Sequence, residues 1–438
     1  MKSLIAINMD ATRLHPGARG QRGVATLIVV MMLFLIISMV AAYTSRNLVF
    51  EQRTSANQYR STQALEAADA GLQWALGMLN SGRIDAACAV SANVADSTFR
   101  QRYLDINGTT GNIVPLTIVG PPVASLTPSC VFDGANWTCS CPSNSAPNVV
   151  APGGTAVFPA FRIRFTQVAT RPGVVQVESN GCTRYAENCL AFNVQGVDSE
   201  GRATVTAMVA LKGGLTTVPA AALTIRGTMN LGGAMLLTAA NADVATAGIT
   251  IQAGGVVNRS GLTLVSTPGT PADGSVFDID TSISGLNVDR MFANVFGMWR
   301  NTYRDQPGAV VLPCGVGGCS ANLVRDAIAL NPGRVLWLEG NFNVDSAGDI
   351  GSAAEPVAMV VNGTVSTTAA ASLYGVLYVQ APTWASNGNM QVRGAVIAEG
   401  NMDGNSNATF VYDAAVLRLL RLRTGSFALI PGSWRDFQ

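Results

Sequence analysis

The sequence predicts an α+β chain: one long N-terminal helix, an antiparallel sheet, and then a mainly β C-terminal part, built either as a β-helix or other solenoid or as a β-sandwich. Three observations carry this. An uncharged run from Val24 to Ser45 leads into helical periodicity that persists to Leu79, with no proline between Pro16 and Pro115. Alternating apolar and polar residues follow in the middle of the chain. Near the C-terminus, short β-rich segments recur about every 20 residues.

The helix comes first. Twenty-two residues from Val24 to Ser45, at about 1.5 Å each, span about 33 Å, close to the hydrocarbon core of a bilayer. A secretory signal has a shorter apolar region of about 7–15 residues, although Val40-Ala41-Ala42 also fits a small-residue cleavage site. Lys2, Arg13, Arg19 and Arg22 precede the run against a single acid, Asp10. That basic flank stays in the cytoplasm, which places the bulk of the chain on the other side. Beyond Arg46 the series Leu65, Ala68, Leu72, Leu76 and Leu79 keeps helical spacing until Asn80-Ser81-Gly82 stops it. The whole helix would be about 84 Å long.

After Gly82, glycine, proline, serine and asparagine become frequent. Alternation at 161–165, 174–178 and 203–209 reads as half-buried strands, which would bury the apolar stripe of the helix and form an α+β domain up to about Gly214. Further on, VLWLEGNF (335), PVAMVVNGTV (356), LYGVLYVQAP (373), VRGAVIAEGN (392) and ATFVYD (408) start 21, 17, 19 and 16 residues apart. Each carries glycine, asparagine, proline or aspartate at or near its end, as the rungs of a right-handed β-helix would. Between Leu286 and Leu330 a helical insertion is expected, with Leu286, Phe292, Val295, Phe296, Trp299 and Tyr303 roughly on one face as a cap or core stripe.

Composition narrows the function. Charged residues are 13% of the chain, and the part after residue 23 holds 24 basic and 26 acidic residues against 28 and 27 in the whole. No strongly basic body remains for nucleic acid. All eight cysteines (Cys88, Cys130, Cys139, Cys141, Cys182, Cys189, Cys314 and Cys319) lie after the apolar run, so an oxidising compartment and disulfides are expected, with free buried thiols as the alternative. Cys182/Cys189 and Cys314/Cys319 are near enough in sequence to be local pairs, and the other four allow three arrangements.

A short basic leader ending in glycine, an apolar helix from the next residue and an amphipathic continuation resemble the class III leader and first helix of type IV pilins. GQRGVATLIVV and STQALEAADAGLQWAL are most similar to PilX-type minor pilins. The resemblance implies cleavage by prepilin peptidase after Gly23 and N-methylation of Val24. It also implies assembly through Leu27, Ile28, Val30, Leu33 and Ile37. Major pilins carry a glutamate five residues into the mature chain, where this one has Ile28. A carboxylate in lipid needs a partner, so its absence removes a contact with the subunit above. By analogy, that absence suits a subunit at the fibre tip. The implied organisation is a leader at 1–23, a transmembrane and amphipathic helix at 24–82, a disulfide-containing pilin domain at 83–214, and a β-rich domain at 215–438 with its helical insertion at about 286–330. The implied partners are major and minor pilins, a PilY1-like tip adhesin, the inner-membrane assembly platform and the peptidase. The implied location is the bacterial inner membrane, with the soluble part outside, and then the pilus. The tail, with Gly432-Ser433-Trp434, also resembles large PilX-type proteins.

Catalytic chemistry is sparse. The only histidine is His15, ahead of the helix, which removes Ser-His-Asp and Cys-His systems and histidine zinc sites from the remainder. MVALKGG around Lys212 is no phosphate loop. Cys139-Ser140-Cys141 lacks redox C-x-x-C spacing. Asp278 and Asp280 in FDID fall on one face of a predicted strand, where two acids could hold a cation or a sugar, or simply be solvated. Asp403, Asn405 and Asn407 have a D-x-N-x-N order open to Ca²⁺ but lack the glycine and closing glutamate of an EF-hand loop. Arg418, Arg421 and Arg423 read as the polar side of a last helix. No cofactor and no enzymatic activity are expected. The rival readings are a K-type pseudopilin of type II secretion and a membrane-anchored, polysaccharide-active β-helix enzyme.

Overall fold

The computed structural model describes residues 22–120, 124–153, 157–192, 201–231, 236–381, 383–384, 389–403 and 407–436. The chain divides into two compact units, Met1–Tyr59 and Arg60–Gln438.

A single helix, Arg22–Leu79, runs from the first unit into the second, and it begins two residues before the expected Val24. In the first unit its described side chains, from Ala25 on, are all exposed. Two threonine hydroxyls in this stretch bond back to the helix, Thr44 to the Val40 carbonyl and Thr54 to that of Phe50, so these two add no unsatisfied polar group.

In the second unit the last turns of the helix lie on a six-stranded antiparallel sheet. Its order is Gly425–Leu429, Arg202–Gly213, Val174–Cys182, Ala160–Gln167, Ser129–Phe132, Trp137–Ser140. Alternate residues Phe161, Ile163, Phe165, Val175, Val177, Val205 and Val209 face Ala68, Leu72, Ala75 and Leu79 in one core. The buried stripe of the helix is richer in small residues than the leucine series suggests. Ala64, Ala67, Ala68 and Ala75 are buried, while Leu65 and Leu76 are only half-buried. Close approach is the reason: a Cβ at Gly181 would stand 2.3 Å from both the Ala64 carbonyl oxygen and the Ala68 nitrogen. The chain returns to this sheet at its end. Gly425–Leu429 pairs with Arg202–Gly213 and Arg435 bridges Thr206, so the last residues leave the β-rich part assigned to 215–438.

The remaining strands stack in parallel. Ala309–Pro313, Val335–Glu339, Val357–Val361, Ala371–Val379 and Met390–Ala398 pair in succession, with Thr409–Tyr412 following on the last. This parallel register selects the solenoid over the β-sandwich, whose strands run antiparallel. Gly375 and Gly394 pair with each other in the two longest strands of this stack, at φ 139° and 136°. A Cβ at Gly375 would lie 1.9 Å from the Val357 carbonyl oxygen, so no larger residue fits.

Spatial order departs from chain order. Leu223–Ile225 pairs with Met390–Ala398, and Ile251–Ala253 and Val276–Phe277 follow it outward. One interior column therefore reads Val310, Leu336, Met359, Leu377, Val396, Leu223, Ile251, Val276. The chain enters the stack beside what will be its last full rung and winds out to Val276. Helices Thr281–Ser284, Val288–Phe296 and Arg300–Arg304 then carry it to the other end at Ala309. The helical insertion thus starts earlier than 286, and its expected span contains the strand Ala309–Pro313. Phe292, Phe296 and Tyr303 are buried together, but Trp299 turns outward and leaves the stripe.

Four disulfides, Cys88–Cys141, Cys130–Cys139, Cys182–Cys189 and Cys314–Cys319, account for all eight cysteines.

Candidate functional site

The N-terminal helix is the candidate, because from Leu27 to Phe50 it carries a long run of exposed large apolar side chains. From Ala25 to Ser45 it carries no charge, and Leu27, Ile28, Val30, Leu33 and Ile37 are each at least half exposed. At about 100° per residue, Leu27, Val30, Leu33 and Ile37 share an arc of about 120°, and Ile28 lies outside it. Val29, Met32, Leu35 and Ile36 fill the rest of the circumference and are equally exposed. A helix apolar all round suits lipid or the centre of a helix bundle and not water. It is the one helix among the described residues long and apolar enough to cross a membrane. Gly23 and Val24 lie in its first turn, and most of the expected leader lies outside the described residues. Ile28 leaves the apolar stretch without a carboxylate, and the first acid of the helix, Glu51, comes after it.

The other sequence candidates are taken up by structure. The strand at FDID ends at Phe277 and Ile279 has φ 55°, so Asp278 and Asp280 do not share a strand face. Asp280 caps helix Thr281–Ser284, accepting from Ser282 N at 2.9 Å and from Gln252 Nε2 at 2.8 Å. These bonds hold its carboxyl below the usual range, despite partial burial. Asp403 ends a strand, Asn407 accepts from Leu236 N at 3.3 Å, and Asn405 lies outside the described residues. Among the described residues no three His, Cys, Asp or Glu side chains cluster as a metal site. Arg418 and Arg421 are exposed on helix Ala414–Arg423, whereas Arg423 turns inward and donates to the Ile106 carbonyl.

Two buried polar groups had no signal in the sequence. Glu399 is 4% exposed and receives the Tyr378 hydroxyl at 2.6 Å, with Arg300 Nη2 at 2.6 Å as its ion partner. Burial pushes its carboxyl up, against the pull of Tyr378 and Arg300. Arg300 also reaches Asp289 at 2.6 Å and lies over the Phe292 ring, so the group ties the crossover helices to the coil strands. A carboxylate so enclosed is not presented to a polymer. Arg102, also buried, donates to the carbonyls of Ile84, Asp85 and Cys141 and anchors the segment after the helix. The partners of Glu399 are 21 and 99 residues away, and those of Arg102 are backbone atoms, and neither leaves a spacing pattern.

Comparison with known proteins bears on the helix. The PilX N-terminal family matches residues 22–73. No curated protein matches the sequence. Among solved structures, the competence-associated pilin ComZ from Thermus thermophilus is similar at 12% identity, covering 86% of this chain and 97% of that one. Its TM-score is 0.20, too low to argue from. The match to the PilX family falls on the exposed apolar helix and its first buried turns, and over residues 22–73 this chain is similar to the N-terminal segment of PilX proteins.

Proposed function

We propose that the protein is a minor pilin that helps to start or cap a type IV pilus near its tip. The observation that carries this is the helix after Gly23: uncharged, apolar all round and exposed along the whole apolar run. Prepilin peptidase cleaves after Gly23 and the new amino terminus, Val24, is methylated. The helix then leaves the membrane and packs against neighbouring pilin helices through Leu27, Val30, Leu33 and Ile37, a noncovalent mechanism with no catalytic step in this chain. Ile28 removes the carboxylate by which a repeating subunit would reach the one above, and the large coiled body suits a rare place at the fibre end. Other pilins, the inner-membrane assembly platform and a PilY1-like tip adhesin are the partners, with adhesion or twitching motility as the cellular consequence. The soluble part faces the periplasm before assembly.

Ile28 equally favours a K-type pseudopilin of type II secretion, which works by the same helix packing. Mass spectrometry of the native amino terminus tests both. N-methyl-Val24 is the expected result, and an intact Met1 in cells that express the peptidase sinks the reading. Pull-down of pilins rather than pseudopilins separates the two assemblies.

A further inference from the structure

A cavity of about 280 Å³ lies in the second unit between strand Leu104–Ile106, the turns at Pro332 and Ala354, and the end of helix Ala414–Arg423. That volume is near the lower end of small-molecule sites, which begin at about 300 Å³. Leu104, Ile106 and Leu116 make an apolar wall, and Arg100 and Arg423 bring guanidinium groups to it.

Arg100 is an uncommon cation. It is 3% exposed, and it donates Nε to the Leu79 carbonyl at 3.0 Å, Nη1 to those of Gly333 and Gly425 at 3.1 Å, and Nη2 to that of Gly425 at 3.1 Å. These four bonds leave one of its five N–H donors unused. Among the described residues it forms no ion pair. Burial, and then the like charge of Arg334, pull its pKa down to about 9, so the cation lacks compensation. Arg423 spends Nε on the Ile106 carbonyl, and its terminal nitrogens make no hydrogen bond or ion pair among the described residues.

The negative groups lie at the mouth. Glu355 and Asp105 are exposed, and Glu355 is held by Gln101 Nε2 at 3.0 Å. Charge is thus sorted by depth, with guanidinium inside and carboxylates outside. A multiply charged anion would meet the rim acids, and a neutral apolar molecule would leave Arg100 unpaired.

We propose that this cavity is a binding site for a small aliphatic monocarboxylate, its carboxylate on Arg100 and Arg423 and its tail along Leu104, Ile106 and Leu116. Such a ligand supplies the missing counter-charge through charge-assisted hydrogen bonds while burying its tail.

The test is calorimetric titration of the full chain in non-ionic detergent with hexanoate, hexanol and hexylamine. Hexanoate is expected to saturate one site, with the alcohol and the amine at least about tenfold weaker. Arg423→Gln, and independently Ala354→Trp on the exposed rim, are expected to weaken hexanoate by about tenfold or more, with circular dichroism showing both variants folded and the unfolding midpoint of Ala354→Trp unchanged. The proposal is overturned if hexanol or hexylamine binds as well as hexanoate, if either folded variant keeps full affinity, or if hexanoate shows no saturation at concentrations on the order of 10 mM.

Discussion

Along 25–45 the N-terminal helix displays leucine, isoleucine, valine and methionine on every side, all exposed, whereas along 64–79 it offers mainly alanine, glycine and a few leucines to a sheet that covers them. The same backbone meets opposite demands. Where its neighbours under the proposed function are lipid or other helices, large side chains would supply the contact area. Where its neighbour is the sheet of the same chain, small side chains let the two backbones come close, and Gly181 answers Ala64 and Ala68 from the other side. The first solution is tolerant of substitution by other apolar residues. The second is not.

The largest expected effect therefore lies in the small-residue half. Gly181→Val would push a Cβ and two methyls into backbone atoms of the helix at 2.3 Å, which cannot yield as a flexible side chain would. A loss of about 3 kcal/mol or more is expected in chemical unfolding of the second unit. A loss under about 1 kcal/mol would show that the helix can lift off the sheet and would erase the contrast.

Next is the end of the same half. Asn80 donates Nδ2 to the Phe427 carbonyl at 2.9 Å and accepts from Phe427 N at 2.8 Å, so it stitches the helix terminus to the returning strand Gly425–Leu429. Asn80→Ala leaves both buried backbone groups of Phe427 unpaired and should cost about 2 kcal/mol by the same measurement.

A pH titration sharpens the comparison, since 25–45 has nothing to titrate but tyrosine. Burial raises the Glu399 carboxyl above its ordinary value of 4.5. The folded chain then holds this proton to higher pH than the unfolded chain does. Its contribution is most favourable below about 4.5 and is lost as pH rises through the raised folded value. Glu399→Gln should flatten the decline of stability with pH in that window. An unchanged slope would mean that Arg300 and Tyr378 compensate the burial in full.

What could be read in the sequence follows the same division between local and distant causes. The helix was legible because hydropathy and the absence of proline are local. The rungs from Val335 to Tyr412 were legible because each is an apolar run ended by a corner residue. The rungs from Leu223 to Phe277 were not: Leu223–Ile225, Met229–Asn230 and Ile251–Ala253 are only two or three residues long, and the first two find partners as far away in sequence as Val396 and Met402. The leucine series at 65–79 pointed at the correct side of the helix but hid its tightest contact, since closeness to a backbone is recorded by glycine and alanine. Ion groups such as Arg300 with Glu399, and cations such as Arg100 held by carbonyls, depend on contacts between residues far apart in sequence and leave no local pattern. Cys88–Cys141 and Cys130–Cys139 were one of three arrangements for the same reason.

The smallest effect on stability is expected at Ile28, and it bears on function. Ile28 is exposed and belongs to the first unit, whereas the sheet belongs to the second, so Ile28→Glu should leave the unfolding midpoint of the second unit unchanged. In assembly the change should be large under the proposed function. A carboxylate at this position needs a partner in an apolar bundle, and the amino terminus of a neighbouring subunit is the one a fibre offers. Immunogold labelling of pili is then expected to find the Ile28→Glu protein along the shaft as well as at the ends. Confinement to the ends would show that the bulk of the body after Gly82, and not the missing carboxylate, sets the place of this subunit in the fibre.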